Sequence, residues 1–325
     1  MSSTTARLAA TGAACVFAIA LPCSAQQSYP AKPIRLVDVY APGGPSDVLA
    51  RTVSARLSER LKQTVIVENR PGAGGTVGTE IAAKAPADGY TLLIIASALS
   101  INASLYSKLP YDTLRDFVPI TVLVSAPYLL TAHPSLPASS VRDLIALAKA
   151  RPGELNYGSG GSGTGPHMAM ELMKQQASID ITHVPYKGAG PAMIDLVAGQ
   201  VQVMMVSMIA GMPYVKAGKM KALAVSSATR STAAPEIPTV AESGLPGFDE
   251  SGYYGILAPA GTPREIVNRL HAEILAVLNL PDLKARFAAE GAKVIGNTPE
   301  QYATLIREDI AKWARVIKAS GIRPN

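Results

Sequence analysis

Along this chain, short apolar runs alternate with segments whose apolar residues recur every three or four positions. Ile34 to Tyr40 reads as a buried strand, and Val48, Leu49, Val53, Leu57 and Leu61 then repeat at helical spacing. Val65 to Val67 forms a second short strand. Asn69 to Gly75, "NRPGAGG", is a turn opening a helix through Lys84, and after the Asp88-Gly89 turn signal Thr91 to Ala96 is a third strand. This βαβαβ order predicts a parallel sheet.

A second unit starts near Ala126. Tyr128 to Ala132 reads as a strand, and Ser140 with Asp143 marks a capped helix start. Strands follow at Leu155–Tyr157, Ile181–His183, Val201–Val206 and Ala222–Ser226. Helices lie between them: one to about Gln176, one over Pro191–Ala198 and a short one near Met212–Ala217. Ser231 to Gly252 is rich in Pro, Gly and Ser and reads as a crossing back between halves. The end is mostly helical, with starts at Pro263, Pro281 and Thr298-Pro299, the last helix carrying Trp313. Two α/β halves with a returning tail predict two lobes with a cleft between them.

Composition narrows the class. The 325 residues are 48% hydrophobic and 17% charged, enough for a large core and too apolar for disorder. The net charge of +6 is not gathered into any basic run, so nucleic acid is not an expected partner. Residues 1–25 have one cation, Arg7, an apolar stretch from Leu8 to Leu21, and Cys23-Ser24-Ala25 at the end. This pattern predicts a signal peptide cleaved after Ala25 and export. A lipoprotein anchored at Cys23 is the rival, and Pro22 argues against it. Cleavage would remove Cys15 and Cys23, leaving a chain without thiols, disulfides or Cys-ligated metal.

Two glycine-rich loops carry the candidate chemistry: Ala41 to Asp47, "APGGPSD", and Tyr157 to Met168, "YGSGGSGTGPHM". Neither Ser159 nor Ser162 sits in the Gly-x-Ser-x-Gly of a nucleophile elbow, and neither loop has the lysine of a P-loop. Gly158 to Gly163 matches the Gly-x-Gly-x-x-Gly spacing, a weak signal in so glycine-rich a segment, and no cofactor is expected. His133, His167, His183 and His271 lack ligand spacing, so no metal is expected either. What remains is simpler. Each loop follows a strand and opens a helix, where free N–H groups and partial positive charge favour anions. Tight turns alone would also use such glycines, but one loop in each half points to a binding cleft.

At these residues the chain resembles the periplasmic solute-binding receptors of tripartite tricarboxylate transporters, the Bug-type family. The resemblance spans nearly all of the mature chain. It rests on "YAPGGPSDVLAR" (Tyr40–Arg51), "VENRPGAGGTVG" (Val67–Gly78), "YGSGGSGTGPHMAMELM" (Tyr157–Met173), "HVPYKGAGPAMIDLVAGQV" (His183–Val201), "PEIPTVAESGLPGF" (Pro235–Phe248) and "YYGILAPAGTP" (Tyr253–Pro263). It implies a type II periplasmic-binding fold, with lobe 1 from residues 26–125 plus 250–325 and lobe 2 from 126–249. It implies no catalytic residues and no cofactor. A small organic carboxylate would be the ligand (a di- or tricarboxylate, acidic amino acid or aromatic acid), and membrane transporter subunits the partner. A monomer is expected.

By the same matching, the first loop would hold a carboxylate through Pro42, Gly43, Gly44, Ser46 and Asp47, and the second through Ser159, Gly160 and Thr164. Gly74, Gly75, Ser97 and Ser207 would face the cleft. Asp47 either holds the loop as a first-turn acid, the preferred reading, or meets the ligand directly. Asp38 departs from the family pattern, which has an apolar residue or proline there. Tyr253 stands where tryptophan is common, and "NASLY" (Asn102–Tyr106) lacks a frequent proline. With Tyr40, Tyr106, Tyr157, Tyr186 and Tyr253 near the motifs, an aromatic acid is one candidate, although tyrosines also pack well at lobe edges. Two alternatives from other classes stay open: a sensor feeding a two-component system, and an exported hydrolase.

Overall fold

The computed structural model describes residues 29–323. The predicted signal peptide and both cysteines lie outside them. Strand β1 (Ile34–Asp38) is buried on both faces, as a central parallel strand must be, and its apolar run reflects that. It pairs in parallel with β2 (Val65–Asn69) and β3 (Thr91–Ala96), so that Arg35 lies opposite both Ile66 and Thr91. Helices α1 (Pro45–Leu61), α2 (Thr76–Ala83) and α3 (Ala98–Leu105) follow β1, β2 and β3. Proline at the start of α1 costs nothing there, because the first helical N–H has no internal partner.

The next strand, β4 (Phe117–Ala132), is 16 residues long and joins the halves. In the second half it is followed by α4 (Val141–Ala150), β5 (Asn156–Ser159), α5 (Gly165–Ala177), β6 (Thr182–Pro185), α6 (Ala189–Val197), β7 (Val203–Ser207), α7 (Met208–Lys216) and β8 (Lys221–Val225). The chain then returns through β9 (Ser251–Pro259) to α8 (Arg264–Leu278), α9 (Pro281–Ala289), β10 (Lys293–Val294) and α10 (Pro299–Ser320). The strand order is β2-β1-β3-β9-β4-β7-β5-β6, with β8 and β10 also on β4. β4 pairs with β9 over Phe117–Pro127 and with β7 over Tyr128–Ala132, so one strand belongs to both halves.

Each half has its own core. Leu36, Leu49, Val53, Ile94, Ile256, Leu270 and Ile274 pack α1 and α8 on the first sheet. Leu144, Tyr157, Met170, Met173, Val203 and Met205 pack α4 and α5 on the second. Trp313 of α10 joins Ile101 and Leu105 of α3 to Met168 of α5, a third cluster bridging the halves. A reciprocal capping box between Thr298 and Gln301 anchors the start of α10, a feature worth about 1 kcal/mol. Among the described residues, no helix is long and apolar enough to cross a membrane, and no three or more His, Cys, Asp or Glu gather as a metal site.

Several elements differ from the sequence reading. β4 begins at Phe117, not Tyr128; Pro119 and Pro127 interrupt its apolar pattern and hide its first half in the sequence. Register shifts at Pro119/Thr121 and Val122/Val124 show the strand bending there while staying paired. The hydrophobic pattern does not reveal α3, β9 or β10; α6 starts at Ala189, two residues before Pro191, and α7 starts at Met208 with Pro213 inside it.

Candidate ligand-binding site

The first loop leaves β1 at Asp38 and enters α1 at Pro45. Gly43 has φ of 82°, a conformation that side chains avoid, and its N–H donates to Asp47 Oδ2 at 3.0 Å. Asp47 also accepts from Arg51 Nε at 3.0 Å and Asn69 Nδ2 at 3.1 Å. Burial raises its pKa, but the bonds from Arg51, Gly43 and Asn69 outweigh that and hold it below the usual carboxylate range. Beneath the loop, fully buried Asp38 accepts from Ser46 Oγ at 2.8 Å, Tyr40 N at 3.2 Å and Asn69 Nδ2 at 3.2 Å. Burial pushes its pKa up to about 7 against the bonds from Ser46 and Tyr40. Asn69, at the end of β2, also donates to the Tyr40 carbonyl at 2.9 Å, so one amide ties strand, loop and helix together.

The second loop is held from behind by aromatic rings. Ser159 Oγ lies 2.6 Å from His183 Nε2 and accepts from Gly161 N at 3.1 Å. The His183 ring stacks on Tyr157 with centroids 4.7 Å apart and lies 4.4 Å from the His167 ring. Burial, with the neighbouring imidazole second, lowers His183 to about 3, and burial with Lys174 lowers His167 to about 4, so both rings are neutral. Thr164 Oγ1 donates to Gly161 O at 2.8 Å, closing the loop on itself before α5.

The two loops meet. Ala41 N donates to Lys187 O at 2.9 Å, and the Pro42 carbonyl lies against Gly190. Tyr106 Oη donates to Ser162 O at 3.3 Å, while Asn102 Nδ2 donates to Gly74 O at 3.1 Å. Between the loops is a cavity of about 40 Å³, lined by Tyr40, Gly44, Pro45, Ser46, Ala96 and Tyr254 from one side and Gly160, Thr164, Gly165, Pro166 and Ala189 from the other. No Lys, Arg or His among the described residues lines it.

Of the residues the sequence suggested, Gly44, Ser46, Gly160 and Thr164 line this cavity. Pro42 and Gly43 pack against Gly190 outside the lining, and Asp47 lies behind the loop, holding it. Gly74 packs on Ser162, and Gly75 packs on Val39 and the Tyr40 ring. Ser97 is buried beside Gly165, and Ser207 is buried near the Tyr254 phenol without a hydrogen bond of good geometry. Ser159 faces His183 rather than the cavity. Among the five motif tyrosines, Tyr40 lines the cavity. Tyr253 points the other way, 3.2 Å from Ser100 Oγ, and its neighbour Tyr254 takes the cavity position. The two-residue alternation of β9 decides this, and it becomes readable once β9 is known to be a strand.

One pattern sets the cavity apart. Helices α2, α3, α5, α6 and α7 begin at or beside it, after Gly75, Ser97, Thr164, Gly188 and Ser207. None of the five has an acid in its first turn or a side-chain cap hydrogen bond. Helices α4, α8, α9 and α10 start elsewhere, and each has a first-turn acid: Asp143, Glu265, Asp282 and Glu300. α1 has Asp47, whose carboxylate is already committed within the loop. A helix start without its own anion keeps free N–H groups and partial positive charge for another one.

Comparison with known proteins agrees with this geometry. A family model described as the tripartite tricarboxylate transporter family receptor, TctC, matches residues 49–322. Protein BugT of Bordetella pertussis is 39% identical over 307 residues, covering 94% of each chain. The structure of periplasmic binding protein BugD superposes with a TM-score of 0.89 at 32% identity, over 91% of this chain and 100% of that one. That of R. palustris Rpa4515 with adipate gives 0.88 at 37% identity, again over 91% and 100%.

Proposed function

The chain belongs to the tripartite tricarboxylate transporter receptor family, whose members are periplasmic solute-binding receptors and not enzymes, and we propose that it captures a small organic carboxylate and hands it to a membrane transporter of that type. The observation that carries this is the ring of helix starts lacking their own anion around a cavity with no cation in its lining. Such a site holds a carboxylate through backbone N–H groups and hydroxyls, as charge-assisted hydrogen bonds in a water-poor setting. The adipate in Rpa4515 supports a carboxylate here.

In this reading, residues 1–25 direct export to the periplasm and are removed after Ala25. Residues 26–125 plus 250–325 act as lobe 1 and 126–249 as lobe 2. Pro42, Gly43, Gly44 and Ser46 supply one jaw and Gly160 and Thr164 the other, with Asp47, Ser159, Gly74, Gly75, Ser97 and Ser207 shaping or supporting them. The cavity has room for about three waters, so it takes a carboxylate and a short body. A longer ligand is accommodated as the lobes part about β4. The receptor works as a monomer.

A thermal-shift screen of residues 26–325 against succinate, malate, adipate, citrate, glutamate and benzoate tests this. A ligand at about one hundred times its Kd adds about 2.7 kcal/mol of stability. No shift with any acid, and no acid released from the denatured protein in mass spectrometry, would defeat the reading.

A further inference from the structure

We propose that Asp38 is a positioning residue that takes up a proton when the carboxylate is captured, with Ser46 relaying its state to the cavity. This rests on the reading above, in which the anion sits between the loops. Ser46 lines the cavity and its Oγ lies 2.8 Å from Asp38 Oδ1. A hydroxyl has one proton. With Asp38 ionised, that proton points at Asp38, and Ser46 offers the cavity only lone pairs, which repel a carboxylate. With Asp38 protonated on Oδ1, the acid donates to Ser46 Oγ, and the serine proton is freed to donate to the ligand. The remaining Oδ1 lone pair still accepts from Tyr40 N, and Oδ2 still accepts from Asn69 Nδ2. One proton from solvent thus turns this part of the loop from acceptor to donor, and no covalent bond to the ligand changes.

The surroundings favour that exchange. The charged and titratable groups facing Asp38 are Asp47 and Arg51 on α1, Tyr40 on the loop and Tyr254 on β9. Asp47, ionised by its own hydrogen bonds, favours a proton on Asp38; Arg51 opposes it, but its guanidinium is engaged with Asp47. Burial keeps both phenols protonated. Asp38 itself is held near neutrality by burial, so its proton is exchangeable at ordinary pH. An anion placed beside Ser46 raises that pKa further, and linkage then requires affinity to fall as pH rises above the free-state value.

Calorimetric titration of residues 26–325 with malate, adipate and benzoate, in buffers of different ionisation enthalpy, counts the protons exchanged. Benzoate is ionised throughout, so its count is free of ligand titration, and His167 and His183 stay neutral. Uptake should be small at about pH 6 and approach one proton at about pH 8, with affinity falling by up to about tenfold per pH unit between. Asp38→Asn, which cannot titrate, should bind with a flat pH profile and no uptake. Should that variant not fold, Ser46→Ala should bind about tenfold more weakly without proton uptake. Binding with no exchange in the parent chain, or undiminished exchange in Ser46→Ala, overturns the proposal while sparing the receptor reading. Absence of binding by all three probes overturns both.

Discussion

Gly74 lies so close to Ser162 that a Cβ on residue 74 would overlap the Ser162 carbonyl oxygen, and this contact joins the turn before α2 to the second loop. Gly74 also has φ of 61°, where side chains are strained. Gly74→Ala is therefore expected to cost at least about 1 kcal/mol in stability from backbone strain, more from the overlap, and to push the second loop away from the turn before α2. Ligand affinity should drop by more than that strain alone explains. Calorimetry and denaturant midpoints on the same variant separate the two effects.

Ala189 lines the cavity at the start of α6. Ala189→Leu places three further carbons into a space that holds about three waters. Carboxylate binding should disappear while the melting temperature of the ligand-free protein changes little, because the residue is only partly buried. A thermal-shift comparison with and without malate checks this.

Buried His167 and half-buried His183 give stability a defined dependence on pH. Their folded pKa values, about 3 for His183 and about 4 for His167, lie below the ordinary imidazole value of 6.5. Their contribution is fully present above that ordinary value and is lost progressively as pH falls from it toward the folded values. The urea midpoint should decline across that window, and less steeply in His183→Gln, whose side chain still reaches Ser159. A midpoint flat down to about pH 4 would contradict the neutral stacked pair.

Asp47 shows the same direction of dependence, although in it the charged form is the one the fold favours. Its folded pKa is depressed, so its contribution is present above the ordinary aspartate value and fades as pH falls through the folded one. Asp47→Asn loses the charge-assisted bonds to Gly43 N and Arg51, at a cost of about 1–2 kcal/mol. Because those bonds shape the first loop, carboxylate affinity should weaken as well, which calorimetry measures.

The strands most legible in the sequence are those buried on both faces, because a continuous apolar run admits few other readings. β1 and β3 are of this kind. β4 and β9 were harder to read. Pro119, Pro127 and the glycines of "SGYYGILAP" interrupt their patterns, and long-range pairing overrides those local signals. The loops could be read because glycine next to Pro, Ser or Thr before a helix is a local signature. Asn69 could not: its role as the tie between Asp38, Tyr40 and Asp47 depends on β1 and β2 lying side by side. The same holds for Ser159, which meets His183 through the parallel pairing of β5 and β6.

The central claim is that backbone N–H groups at these helix starts hold the carboxylate. Amide chemical shifts of the isotopically labelled mature chain, recorded during a malate or adipate titration, test it most directly. The account predicts that the largest downfield shifts fall on Gly44, Ser46, Gly160, Gly165 and Ala189, saturating with one ligand per chain. Saturable binding with the shifts concentrated away from both loops would contradict it.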